Sequence, residues 1–298
     1  MQTVSIIMPV HNAQATLTDT IQSVLEQDYR EWELLIVDDG STDDSVALAL
    51  AAAEHDERIR VLSQENRGPS AARNLGLQHA SGRIIAFIDA DDLWQYDKLA
   101  THVSLFSFRP EVDMSFARVQ PIDGTGKRCA RRSRISKTTL KLTNLLAKNP
   151  ACTSSNLVVR KDLLDRIGAF DERLRHAEDQ ELMIRALRQG AQIEAIQCTL
   201  VRYRVSGTSA SADLEAMLRG WRSMIDAIPG LASATIEHAQ AKYHCYLARQ
   251  ALRTGRPLGE AIGYLRLAFL RRRDCATGPS TRDSIATALR LPFAHGRS

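Results

Sequence analysis

Through the first 90 residues, apolar positions come in short unbroken runs, and between the runs they fall at helical spacing. VSIIMPV at 4–10, ELLIV at 33–37 and IIAFI at 84–88 are rich in β-branched residues, the pattern of buried strands, and RIRVLS at 58–63 reads as a further short strand. Pro9 interrupts the first of them. Residues 16–27 set Leu17, Ile21, Val24 and Leu25 on one helical face. Residues 43–55 and 70–80 read as further helices, the former capped by the hydroxyls of Ser41 and Thr42. Strands alternating with helices of about 10–15 residues predict a doubly wound, mostly parallel α/β sheet whose ligands bind beyond the carboxyl ends of the strands.

From residue 113 the pattern changes. Residues 114–120 predict one arm of a hairpin that turns through PIDGTG, and the basic run at 127–134 follows as a solvated loop. Residues 151–160 read as a strand with a helix after it, and beyond GAFDE the sequence HAEDQE at 176–181 opens a helix running through Leu187. Residues 192–203 predict a last strand, and RVSGTSAS at 204–211 a loop of small residues. Thereafter the pattern is helical, over about 213–228, 232–253, 257–272 and 280–291. The expected organisation is an α/β domain over 1–211 and a helical region over 212–298.

Composition narrows the class. The 298 residues are 44% hydrophobic and 25% charged, enough for one large domain plus an appendage. The longest wholly apolar run, residues 46–53, is far shorter than the roughly 20 residues that cross a bilayer, and no secretion signal precedes the first strand. Cys129, Cys152, Cys198, Cys245 and Cys275 are widely spaced without a CxxC pair, which fits reduced thiols in a cytoplasm and neither a disulfide framework nor a zinc site. A net charge of +4 does not argue for nucleic acid, but eight arginines against three acids lie in residues 256–298. Oligomeric state leaves no mark in the sequence.

Candidate chemistry gathers at the ends of the predicted strands: residues 9–12, 38–41 and the DADD of 89–92. Three carboxylates within four residues repel one another and need a cation or strong donors beside a core. Hard oxygen ligands of this kind suit Mg²⁺ or Mn²⁺ with positions left for substrate phosphates. The alternative is an acidic turn in which Asp92 caps the next helix. No GxGxxG follows the first strand and no GxxxxGK[ST] occurs, so a nucleotide would be held differently. Carboxylates after the second strand can accept from a ribose or a base N–H, and metal-bound carboxylates after the fourth can hold a diphosphate.

VSIIMPVHN, SVLEQDY, ELLIVDDGSTD, ENRGPSAARNLGL, GRIIAFIDADDLW, GAFDE, AEDQEL and YRVSGTSAS stand in that order over about 200 residues. In this series the chain resembles family 2 glycosyltransferases of the GT-A fold, the group that makes bacterial polysaccharides and glycolipids. The resemblance implies a nucleotide pocket edged by Pro9 and Val10, with Asp39 as acceptor for the base and Arg73 reaching the base or its phosphates. It implies a DxD motif at Asp89 and Asp91, with Asp91 the direct Mn²⁺ or Mg²⁺ ligand, Asp89 contributing to the metal site and Asp92 supporting the sugar or the metal shell. Asp179 takes the position of the catalytic base with Glu178 beside it, and Arg204 with Ser209 to Ser211 the loop that closes over the diphosphate. This chain has Ser206 where many relatives have His, so that loop is assigned no metal ligand.

The expected reaction is inverting transfer from a nucleotide-diphosphate sugar, a UDP-sugar first, to a hydroxyl of a saccharide or lipid-linked acceptor. A sugar nucleotidyltransferase would show a GxGTR-type loop where this chain has Met8-Pro-Val-His-Asn-Ala, and a processive synthase a QxxRW segment where Leu218-Arg-Gly-Trp-Arg lacks the Gln. A degenerate, sugar-nucleotide-binding scaffold remains the non-enzymatic alternative. Residues 262–273 set Leu265, Leu267, Phe269 and Leu270 beside four arginines, which reads equally as a surface for peripheral contact with an anionic membrane and as a bundle helix with a basic end.

Overall fold

The four stretches expected as strands in the first 90 residues form β1 (Val4–Val10), β2 (Trp32–Asp39), β3 (Ile59–Gln64) and β4 (Ile84–Phe87). They lie parallel in the order β3-β2-β1-β4, with Val10 opposite Asp38 and Ile7 opposite Phe87, so their carboxyl ends form one edge. Helices α1 (Leu17–Leu25), α2 (Ser45–His55) and α3 (Pro69–His79) make the crossovers. Ile6, Met8, Leu34, Ile36, Ile84 and Ala86 are fully buried and pack with Leu17, Ile21 and Val24 of α1. Helix α3 approaches β1 closely because Gly76 has no side chain: a Cβ there would stand 2.6 Å from Ile7 Cγ2. The computed structural model describes residues 3–130, 132, 133, 135, 140–205 and 213–271. It divides into two compact units, Met1–Leu142 with Asn149–Ser209, and Thr143–Lys148 with Ala210–Ser298.

The first unit continues through β5 (Leu93–Trp94), α4 (Lys98–Phe108) and β6 (Val112–Ile122); after α5 (Leu142–Ala147), a 3-10 turn (Ser154–Asn156), β7 (Val158–Arg160), α6 (Lys161–Ile167), α7 (Glu178–Arg188) and β8 (Gln192–Arg204) complete it. The full strand order is β3-β2-β1-β4-β7-β6-β8-β5. Beyond β4 the sheet is mixed: β7 runs antiparallel to β4 and β6, β8 parallel to β6, and β5 antiparallel to β8.

Several local expectations are revised. Ser41 and Thr42 do not cap α2, whose N-cap is Asp44; Ser41 Oγ accepts from Asn12 N (3.1 Å) and Thr42 N donates to Asn12 Oδ1 (2.8 Å), tying the turn to the end of β1. The strand expected over 151–160 is confined to β7, because Thr153 turns its hydroxyl onto Ser155, accepting from its N–H in a 3-10 turn instead of a ladder. The hairpin turns at Asp123, and its returning arm forms no strand among the described residues: Arg128 bridges to Ile122, Cys129 N donates to Pro121 O (3.2 Å) and Ser133 N to Val119 O (2.7 Å). Arg131 and Arg134 of the basic run lie outside the described residues.

In the second unit, α8 (Leu214–Ala227) starts on Asp213, whose carboxylate accepts from the N–H groups of Glu215 and Ala216, both at 3.0 Å. It is followed by α9 (Ser233–Arg253) and α10 (Leu258–Arg271). Trp221, buried, donates its indole N–H to Leu146 O (2.7 Å) and stacks on Tyr243 at 5.2 Å. Most of α5 thus belongs to this helical unit. The helix expected over 280–291 and Cys275 lie outside the described residues. Among the described residues no helix is long and apolar enough to cross a membrane.

Candidate active site

The mixed half of the sheet builds the site. Because β7 runs antiparallel to β4, the turn before β7 lies beside the acids that follow β4: Phe87 N donates to Leu157 O (3.2 Å) and Asp89 N to Ser155 Oγ (2.9 Å). Because β5 pairs antiparallel with β8, with Leu93 opposite Arg202, the end of β8 returns to the same acids.

Arg73, projecting from α3, stands at the centre. It is 3% exposed and donates Nη2 to Asp89 Oδ1 and Ser154 Oγ, both at 2.6 Å, and Nη1 to Glu178 Oε1 at 2.9 Å, while its guanidinium lies 5.3 Å from the Phe170 ring centroid. Burial opposes its charge, but Asp89 and Glu178 outweigh burial and hold it above its ordinary basicity. Asp89 answers in kind. Burial works against its carboxylate, yet Arg73 and the hydroxyls of Thr153 and Ser154 keep it below the usual range. Arg73 therefore ties the first acid of the DxD to the first acid of the helix at 178, and the amino groups expected to reach a nucleotide are already engaged.

Asp91 differs. Its carboxylate has no side-chain partner among the described residues, and burial followed by the charge of Asp89 pushes it up to about 6, against the pull of Arg204. Asp92, fully buried, is pushed well above the ordinary value by burial and by both neighbouring carboxylates, although Arg204 N (2.9 Å) and Thr153 Oγ1 (3.2 Å) bond to it. It caps no helix. Arg204 donates Nε to Asp91 O (2.9 Å) and Nη1 to Gly124 O (2.7 Å) and approaches Asp19 at 3.5 Å, so in this structure it clasps the acidic loop instead of standing open above it. The loop beyond it, with Ser206 and Ser209 to Ser211, lies outside the described residues.

Among the described residues no three His, Cys, Asp or Glu side chains gather as a metal cage. The donor set fits a cation held by one protein carboxylate and completed by ligand phosphates and water, as Mg²⁺ and Mn²⁺ often are. Of the three acids, Asp91 is the one with no side-chain partner among the described residues, half-buried and penalised for its charge. Asp89 is committed to Arg73 and two hydroxyls.

Across the site, α7 begins at Ala177, whose left-handed backbone (φ 64°) brings no side-chain cap. Glu178 turns to Arg73, and Asp179, 8% exposed, turns away from it. Asp179 Oδ1 accepts from Gln180 N (2.7 Å) and Oδ2 from Asn149 Nδ2 (2.6 Å). Burial and then Glu178 push its carboxyl up to about 7, against Arg73, Asn149 and the Gln180 N–H. A carboxylate with that proton affinity is suited to accept a proton near neutral pH.

Asp39 is cradled at the end of β2, accepting from Gln64 Nε2 (2.7 Å) and from the N–H groups of Arg67 and Gly68, both at 2.8 Å. In this structure it shapes the loop that launches α3. Pro9 and Val10 lie beside Val37 and Asp38 at the sheet edge. The sequence reading did not single out Asn149, Thr153, Ser154, Ser155 or Asn156. Asn156, fully buried, bonds through its amide to Ala117 N, Ala117 O and Ala151 O and so locks the turn against β6. The available signal was a run of four small polar residues directly before three apolar ones.

With this architecture the chain takes its place among the GT-A transferases. S. aureus TarS in complex with UDP matches at a TM-score of 0.61 and 21% identity, covering 99% of this chain and 93% of that one. The mannosyltransferase PcManGT from Pyrobaculum calidifontis, in complex with GDP-Man and Mn²⁺, matches at 0.63 and 22%, covering 97% and 81%. At these identities the likeness is one of fold. The chain belongs to glycosyl transferase family 2, whose model matches residues 5–168. UDP-Glc:alpha-D-GlcNAc-diphosphoundecaprenol beta-1,3-glucosyltransferase WfgD from Escherichia coli is 34% identical over 226 residues, 73% of this chain and 83% of WfgD. The putative teichuronic acid biosynthesis glycosyltransferase TuaG from Bacillus subtilis is 46% identical over 97 residues, 32% of this chain and 38% of TuaG.

Proposed function

We propose that the protein is an inverting glycosyltransferase that moves a sugar from a nucleotide diphosphate, UDP first among the carriers, to a hydroxyl of a lipid-linked saccharide. The observation that carries this reading is the pair of acids with opposite circumstances: Asp91, unpaired and open to a cation, and Asp179, neutrally held and raised to about 7. Asp179 takes the proton of the acceptor hydroxyl as the acceptor oxygen forms its bond to the anomeric carbon. The bond from that carbon to the diphosphate breaks, its electron pair leaves with the diphosphate, and one displacement inverts the centre. Asp91 would hold Mn²⁺ or Mg²⁺, which when bound would supply positive charge for the departing diphosphate. Arg73 keeps Asp89 and Glu178 in fixed register between the two.

The acceptor class is supported by the name of WfgD, which acts on a GlcNAc-diphosphoundecaprenol. It is also supported by α10, where Leu258, Ile262 and Phe269 recur at helical spacing and remain 51%, 40% and 45% exposed, with Leu270 at 79% and Arg266 alongside. We place the enzyme at the cytoplasmic face of a membrane through this surface; Arg272 and Arg273 of the basic stretch lie outside the described residues.

A nucleotide-release screen over UDP-, GDP- and dTDP-sugars identifies the donor. With that donor, Asp179→Asn binds as wild type and loses transfer by about 10²–10⁴, while Glu178→Gln loses less. Near-normal turnover by Asp179→Asn would overturn the assignment of the base.

A further inference from the structure

We infer that Asn149 is the positioning residue of the proton acceptor, fixing the Asp179 carboxylate in its reactive orientation through a neutral hydrogen bond. The inference rests on the proposed role of Asp179. Asn149 Nδ2 lies 2.6 Å from Asp179 Oδ2, and the same amide is anchored at its other end, where Asn149 Oδ1 accepts from Ala151 N at 2.9 Å. That anchor settles which way the amide faces: with its oxygen on a backbone N–H, its NH₂ must point at the carboxylate. Asp179 Oδ1 is held by Gln180 N at 2.7 Å, so both oxygens have a fixed donor and the plane of the carboxylate cannot rotate freely.

The choice of donor matters chemically. A cation on Asp179 would orient it equally well and strip it of proton affinity. The nearby cation, Arg73, is instead spent on Asp89 and Glu178. The charged groups that act on Asp179 are Glu178, which raises its proton affinity, and Arg73, which lowers it. An amide orients the group while conceding little basicity, and after proton transfer it still donates to the carboxyl oxygen.

The test is the pH dependence of kcat in two variants, Asn149→Ala and Asn149→Asp, alongside wild type and Asp179→Asn, using the donor found in the release screen. Asn149→Ala removes a donor that stabilises the charged form, so the acid limb of its profile moves to higher pH by about one unit, with about tenfold lower kcat at pH 7 and donor KM within about twofold. Asn149→Asp keeps the shape but makes two buried carboxylates share a proton, so its limb moves further still. A structural defect alone lowers kcat at every pH and does not order the limbs Asn < Ala < Asp. Limbs of both variants at the wild-type position, with Asp179→Asn inactive, would overturn the role of Asn149 and leave the base in place. Turnover by Asp179→Asn would instead remove the base and this inference with it. If Asn149→Ala fails to fold, as judged by lost donor binding, the isosteric Asn149→Asp decides alone: an unmoved limb overturns the inference.

Discussion

A guanidinium held between two carboxylates keeps a charge partner when one of them is removed, but the buried donors that pointed at the lost one are left unsatisfied, which costs about 1–3 kcal/mol. Asp89→Ala is therefore expected to destabilise the protein by about that much in urea titrations, since Arg73 keeps Glu178 while Arg73 and Ser154 both lose Asp89 as an acceptor. Asp91→Ala, which removes a carboxylate without a side-chain partner among the described residues, is expected to change stability little. In Mn²⁺ titrations with UDP present it should lose nucleotide-dependent metal binding. Equal stability of the two variants would show that Arg73 does not depend on Asp89, and full Mn²⁺ binding by Asp91→Ala would remove Asp91 from the metal site.

Helix α4 begins with a liability. Lys98 is fully buried with its ammonium 5.1 Å from the Trp94 ring centroid and 3.3 Å from His102 Nε2, and His102 in turn contacts Ser115 Oγ at 2.7 Å. No carboxylate faces Lys98 among its described partners, and burial pushes it from 10.5 down to about 7. The unfolded chain thus binds a proton that the fold rejects. The stability this group contributes is complete above 10.5 and is lost as pH falls toward 7. Lys98→Met should be more stable than wild type at pH 7, by roughly 1–4 kcal/mol, with the gap narrowing toward pH 10. A gap independent of pH would mean that Lys98 stays charged in the fold.

Elements differed in how far the sequence announced them. Strands β1, β2 and β4 were legible because burial on both faces leaves a nearly unbroken apolar run. The stretch 98–108, by contrast, carries Lys98, Thr101 and His102 on its buried or half-buried side, and its helical period is masked. At the site, the acids and Arg73 could be read from local motifs. Their partners could not, since Ser154 meets Asp89 across 65 residues and Asn149 meets Asp179 across 30, distances closed only by the antiparallel entry of β7 and the start of α7.

For the whole molecule, membrane contact through α10 makes a measurable claim. Vesicles containing anionic lipid should float the protein in a salt-sensitive manner. Ile262→Ser with Phe269→Ser and Leu270→Ser, all at exposed positions, should abolish flotation without lowering the unfolding temperature. Unchanged flotation of the triple variant would refute the docking face and leave residues 272–298 or a protein partner as the occupant of the stripe.

The Trp221 to Leu146 hydrogen bond, 75 residues apart, also sets a clock. At about 5–20 residues per second of translation, the segment that carries Leu145, Leu146 and Ala147 is made roughly 4–15 s before the helix it packs with exists. For that interval Leu146 O, directly upstream of Asn149, is without the Trp221 indole that the finished chain gives it. A gene trimmed to its α/β portion would make that lack permanent, so a stable shortened product is expected to run past Trp221.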